Sequence, residues 1–212
     1  MGQIKKLSVQ LEHALLALDE EAAGKIIREA QGNSSPGEIA GDLISSALVS
    51  IGDSWESGKL SLSQVYMSGI ICEKAIDKIL PPQSPVRKSQ PKMAIAVLED
   101  FHLLGKRIIY STLRASGFEL IDLGGGLSIE RIVDIVKTEK IKILLLSVLM
   151  LPSALRVKEL KAQLKDLDVT IVVGGAPFRF DEQLWKEVGA DHYGKDSSEA
   201  LEIVNKIMEG RI

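Results

Sequence analysis

Apolar residues recur every three or four positions along the first 80 residues of the chain, and in short unbroken runs after residue 92. Ile4, Leu7, Leu11, Leu15 and Leu18 mark one face of a first helix. A second short helix is expected over 20–30. Ser35-Pro36-Gly37-Glu38 is a capping box with proline at the first helical position. It opens a third helix that carries Ile39, Leu43, Ala47, Ile51 and Trp55 at four-residue spacing and ends at Gly58. Ser61-Leu62-Ser63-Gln64 is a second capping box, before a helix through Val65, Ile70, Ile76 and Leu80. Four helices with short connections predict a small antiparallel bundle over 1–80.

Residues 81–91 hold four of the chain's seven prolines among polar residues, the composition of a stiff, extended linker. Beyond it, apolar runs at 93–98, 118–123, 141–147 and 169–173, with a weaker one at 190–193, read as buried parallel strands. Helical patterns over 105–116, 128–138, 153–166, 180–188 and 196–208 fill the gaps. Five βα units predict an α/β fold over 92–212: a flavodoxin-like, Rossmann-like doubly wound sheet of five parallel strands, preceded by the four-helix bundle. In that topology the first and third strands flank the ligand crevice at their carboxyl ends.

Composition narrows the partners. The chain has 212 residues, a net charge of −3 and 45% hydrophobic residues, so it has material for a core and no basic surface for nucleic acid. No apolar run is long enough to span a bilayer, and the N-terminus does not read as a secretory signal, so no membrane is expected and a cytoplasmic location is. Cys72, the sole cysteine, rules out disulfides within the chain and thiolate zinc sites.

The candidate chemistry lies in Asp100-Phe101-His102-Leu103-Leu104-Gly105, directly after the first strand. A carboxylate two residues before a histidine holds the imidazole in one tautomer and raises the basicity of its other nitrogen. Gly105 lets the backbone approach something bulky. Ser147 and Ser153 leave the third strand, and Gly174-Gly175 the fourth, on the same edge of the sheet. The glycine pair removes side chains where a large ligand would lie deep, Ser147 offers a hydroxyl at the floor, and Ser153 is within range of the Asp100–His102 pair. Gly124-Gly125-Gly126 follows the second strand, out of order for a dinucleotide loop, and reads as a turn. His13 and His192 stand in no constellation.

Asp-x-His-x-x-Gly, then 41 residues, then Ser-x-Leu at Ser147-Val148-Leu149, then a Gly-Gly pair, resembles the cobalamin-binding pattern of methionine synthase and of the corrinoid proteins of methyltransferase systems. Ile51-Gly52-Asp53-Ser54-Trp55-Glu56-Ser57-Gly58-Lys59-Leu60 is similar to the motif of the helical cap that precedes this fold in the family. The resemblance covers nearly the whole chain. It implies cobalamin as cofactor, cycling between methylcobalamin and cob(I)alamin, bound with its own base displaced and His102 as the lower ligand of cobalt. It implies a relay of Asp100 and Ser153 behind the imidazole, cofactor contacts from Gly105, Ser147, Leu149, Gly174 and Gly175, and an apolar cover of the upper face by Trp55, Leu62 and Val65. It implies no catalysis by the chain alone. It implies instead a methyl carrier between a substrate-specific methyltransferase and an acceptor methyltransferase that depends on tetrahydrofolate or a thiol, with a reductive activator as a further partner.

The chain departs from the family pattern at five positions: Glu99 for glycine, Phe101 for a smaller aliphatic residue, Leu103 for aspartate, Arg107 for asparagine and Leu151 for threonine. Other readings of the same resemblance are a cobalamin-dependent sensor, an adenosylcobalamin mutase subunit, and a flavodoxin-like domain without ligand. Light-sensing relatives carry Glu-His where Val65-Tyr66 stand here, mutase subunits lack the helical cap, and His102 with Ser147 argues against ligand loss.

Overall fold

The structure, a computed structural model, describes residues 2–34, 38–79 and 89–212. It divides into two compact units: Met1–Gln90 with Ser111–Glu119, and Pro91–Tyr110 with Leu120–Ile212. The first capping box (Ser35–Gly37), Leu80 and most of the proline-rich segment lie outside the described residues.

In the first unit, helix α1 (Gly2–Leu16) packs on α2 (Glu20–Gln31), α3 (Ser45–Glu56) and α4 (Leu62–Ile79). Leu7, Leu11, Leu15, Ile27, Leu43 and Ile51 are buried, as the periodicity predicts. Leu18 is not on that stripe. It takes a left-handed φ of 55° and is half exposed. The amide N–H of Leu18 donates to the Leu15 carbonyl and that of Asp19 to the Ala14 carbonyl, the hydrogen-bond pair that closes a helix C-terminus. Asp19 then caps α2 by accepting from Ala22 N–H at 2.8 Å, so the chain has to turn at Leu18.

A π-helical segment (Ile39–Ile44) runs directly into α3. Apolar residues four apart drift around an α-helix of 3.6 residues per turn. The wider π turn offsets that drift, and Ile39, Leu43, Ala47 and Ile51 are all buried. Gly58, at φ 76°, ends the helix. The second capping box forms as expected: Ser61 N–H donates to Gln64 Oε1 at 2.9 Å, and Gln64 N–H to Ser61 Oγ at 3.3 Å. Cys72 is buried, and burial pushes its thiol up, away from the reactive thiolate.

The second unit is a parallel sheet in the order β2-β1-β3-β4-β5, formed by β1 (Met93–Val97), β2 (Leu120–Asp122), β3 (Ile143–Ser147), β4 (Thr170–Gly174) and β5 (His192–Tyr193). Helices α5 (Leu103–Ala115), α6 (Ile129–Glu139), α7 (Leu151–Gln163), α8 (Ala176–Phe180), α9 (Leu184–Glu187) and α10 (Ser197–Met208) connect and follow the strands. All five residues of β1 are buried, as befits a strand covered on both faces. The pattern expected as one helix over 180–188 is broken between α8 and α9, where Asp181 leaves the helical region and its carboxylate accepts from Gln183 N–H at 2.9 Å. No helix among the described residues is long and apolar enough to cross a membrane.

Register brings the candidate residues together. Val97 pairs with Ser147, and Ser147 with Gly174, in one row across the carboxyl ends of the central strands. The chain reverses between β1 and β3, so the loops leaving this row border the crevice where such sheets bind ligands.

Candidate functional site

The β1–α5 loop holds one buried carboxylate and one exposed imidazole. The Asp100 side chain is 1% exposed and that of His102 is 59% exposed. Asp100 Oδ1 accepts from His102 Nδ1 at 2.5 Å and from His102 N–H at 3.0 Å. Its other oxygen accepts the N–H groups of Leu149 and Met150, at 3.1 and 3.2 Å, from the loop after β3. Burial pushes the Asp100 carboxyl up, but the His102 ring, then the amides of His102, Leu149 and Phe101, outweigh it and hold the group at about 2. An ionised carboxylate only accepts, so the His102 ring proton sits on Nδ1. Nε2 is left with its lone pair directed away from Asp100 and without a hydrogen bond among the described residues.

Glycines shape the walls. The β2 edge continues beside β1 as a detour: Val97 N–H donates to Gly124 O, Gly126 N–H to Asp100 O at 2.6 Å, and Leu127 N–H to Val97 O. A β-carbon at Gly125 would stand 2.5 Å from Leu103 Cδ2, and one at Gly126 would collide with the Phe101 ring. The triple glycine is therefore a bed for the His102 loop. A β-carbon at Gly105 would stand 3.2 Å from Ser147 Oγ, so that hydroxyl lies close beneath the start of α5.

The glycine pair after β4 has a backbone reason of its own. A β-carbon at Gly174 would meet the Gly194 carbonyl at 2.8 Å, and one at Gly175, whose φ is 120°, would overlap the Val148 carbonyl. Ser153 is buried, and its hydroxyl donates at 3.2 Å to the carbonyl of Glu99, not to the Asp100 carboxylate. Main-chain amides fill the place behind Asp100 that the sequence reading gave to Ser153. Leu149 contributes its amide to Asp100 while its side chain is exposed. In the first unit, Trp55 at the end of α3 and Leu62 at the start of α4 are half-buried, and Val65 is buried. His13 is exposed on α1. His192 is partly buried in β5, and burial lowers its imidazole against the opposing charge of Asp191.

These residues offer a metal one nitrogen. No group of three or more His, Cys, Asp or Glu able to hold a metal ion occurs among the described residues. A lone imidazole backed by a carboxylate does not cage a metal, but it fits the axial position of one whose other ligands come from a macrocycle. Phe101, Leu149, Met150, Leu151 and Leu155 are all exposed in the two loops and the start of α7, an apolar surface suited to a large, flat, largely apolar group.

Comparison with known families decides the matter. Residues 92–202 match a family model described as a B12 binding domain, and residues 7–80 match a second model of the same description. The chain belongs to the B12-binding family. Cobalamin is its cofactor, and its relatives are corrinoid proteins. A trimethylamine corrinoid protein of Methanosarcina barkeri is 29% identical, over 95% of this chain and 96% of the relative. Trimethylamine corrinoid protein 2 of Methanosarcina acetivorans is 31% identical, over 98% and 97%. Among solved structures, a cobalamin-binding protein from Desulfitobacterium hafniense DCB-2 superposes with a TM-score of 0.77 at 27% identity, covering 94% of this chain and 97% of that one. The B12-binding chain thus has the helical unit and the parallel-sheet unit that its motifs implied.

The sequence pointed to Asp100, His102, Ser147 and the glycine pair as candidates. It missed the amides of Leu149 and Met150 as the support of Asp100, and it missed Arg156, whose guanidinium grips Glu99 from α7. The one available signal was the departure from glycine at position 99.

Proposed function

We propose that the chain carries a methyl group between partner methyltransferases, with His102 Nε2 as the lower axial ligand of cobalt in a cobalamin whose own base is displaced. The observation that carries this reading is the 2.5 Å hydrogen bond between His102 Nδ1 and Asp100, which leaves Nε2 as the free, basic nitrogen. Bound cobalamin supplies a metal centre able to accept and release a methyl group.

The chain's own residues do the rest. His102 presents a single nitrogen in a fixed tautomer. Asp100 holds the ring through its hydrogen bonds to Nδ1 and to the His102 N–H. Ser147, Gly105, Gly174 and Gly175 border the place for the nucleotide tail. The relatives named for trimethylamine make methylated amines the first donor class to test, with the choice of donor residing in the partner enzyme.

The test uses protein labelled with ¹⁵N-histidine and reconstituted with unlabelled hydroxocobalamin, then reduced to the cobalt(II) state. Electron paramagnetic resonance should show the two-line splitting of a ¹⁵N ligand, absent in His102→Ala. A three-line ¹⁴N pattern in the wild type, from the cofactor's own base, overturns the assignment.

A further inference from the structure

The turn that delivers Asp100 starts from a residue in a costly backbone conformation. Glu99 has φ 46°, in the left-handed region that suits glycine and strains a residue with a β-carbon. It is held there from four directions. Its N–H donates to Leu127 O at 3.0 Å. Its carbonyl accepts from Ser153 Oγ at 3.2 Å. Its two carboxylate oxygens accept from Arg156 Nε and Nη2, each at 3.1 Å. Arg156, on the second turn of α7, is itself tied to Glu159 one turn on. Glu99 faces outward while Asp100, its neighbour, is buried, so the strained residue directly adjoins the buried carboxylate.

An isolated exposed ion pair is a weak stabiliser. This one differs in being bidentate and in gripping the residue whose backbone is strained. It links the β1–α5 loop to α7, which follows the two amides that hold Asp100. We infer that Glu99 and Arg156 form a clamp that keeps residue 99 in its left-handed turn and thereby sets Asp100 and the His102 ring. They are positioning residues for the imidazole, an inference that rests on the reading of His102 as the cobalt ligand.

Four variants test the clamp: Arg156→Ala, Glu99→Ala, Glu99→Gly and the double variant Glu99→Gly/Arg156→Ala. Glycine takes the left-handed turn without help, so it should make Arg156 dispensable. In the cofactor-free protein, the amide resonances of His102, Leu149 and Met150 report the hydrogen bonds to Asp100. All three should shift in Arg156→Ala and Glu99→Ala, and stay near wild type in Glu99→Gly and in the double variant. In cobalamin-loaded, ¹⁵N-histidine-labelled protein, the histidine-ligated fraction should follow the same order, with ligation about tenfold weaker in the first pair. Wild-type resonances in Arg156→Ala, or a double variant no closer to wild type than Arg156→Ala, overturn the clamp. A wild type without histidine splitting overturns the ligand reading instead, and the amide shifts still decide whether the clamp sets Asp100.

Discussion

Gly126 lies directly beneath the ring of Phe101, so close that a β-carbon at position 126 would collide with the aromatic edge. Gly126 also has φ 67°, and its N–H donates to the Asp100 carbonyl. Phe101 immediately precedes His102, so this contact sits next to the imidazole in the β1–α5 loop. Gly126→Ala should destabilise the protein by about 1–3 kcal/mol, from backbone strain and displacement of the ring. Phe101→Ala in the same chain should remove the steric part and leave the backbone part. Urea denaturation of the four proteins measures this coupling, and additive effects would exclude the contact.

Asp100 should make the stability of the cofactor-free protein depend on pH in a defined window. Its folded value of about 2 lies below the ordinary value near 4 of an unfolded chain, so its contribution is complete above about pH 4 and is lost as pH falls toward 2. The difference corresponds to about 2 kcal/mol. Asp100→Asn cannot carry the charge, and its amide nitrogen cannot accept from the main chain. The gap in unfolding free energy between wild type and Asp100→Asn should be constant between pH 7 and pH 5 and smaller at pH 3. A gap that is the same at pH 3 would show that the charge is not what the site stabilises.

Within the first unit, Arg114 makes a second ionic arrangement. Its side chain is 6% exposed, contacts both oxygens of Asp77 at 2.8 and 2.9 Å, pairs with Glu119, and lies 3.8 Å from Glu73. Removing one member of a buried pair costs about 3–5 kcal/mol. These carboxylates are partly exposed and water reaches them, so Arg114→Met should cost about 2 kcal/mol, read as a lower thermal midpoint. Arg114→Lys should recover little of it, since an ammonium cannot fork to two carboxylates.

Gly175 should tolerate no side chain at all. Both its φ of 120° and the Val148 carbonyl stand against a β-carbon. Gly175→Ala should cost more than about 3 kcal/mol, seen as loss of cooperative unfolding or of folded protein on expression. A stable Gly175→Ala protein would mean that the β3 and β4 loops separate more readily than their packing indicates.

The strands and the hydrogen-bonded Asp100–His102 pair were legible because their signals are local. Met93–Val97 is an unbroken apolar run, and Asp100 and His102 are two residues apart at its end. The support of that pair was not legible, because it comes from far along the chain. Arg156 is 57 positions from Glu99, and Met150 is 50 from Asp100. Position 99 could be seen to lack a glycine, but the sign of its φ is a property of the folded turn. Gly174-Gly175 was read as room for a ligand, while its nearest constraints are the carbonyls of Gly194 and Val148. Leu18 kept the helical spacing and still left the helix, because the capping aspartate that follows it overrode a weak periodic preference.

The anchoring of Asp100 Oδ2 by two amide groups and, among the described residues, by no side chain has an evolutionary consequence. Any residue except proline supplies the same donors at 149 and 150, so this support does not depend on either side chain. The foundation of the imidazole is thus written in the backbone and is inherited whatever side chains stand at those two positions.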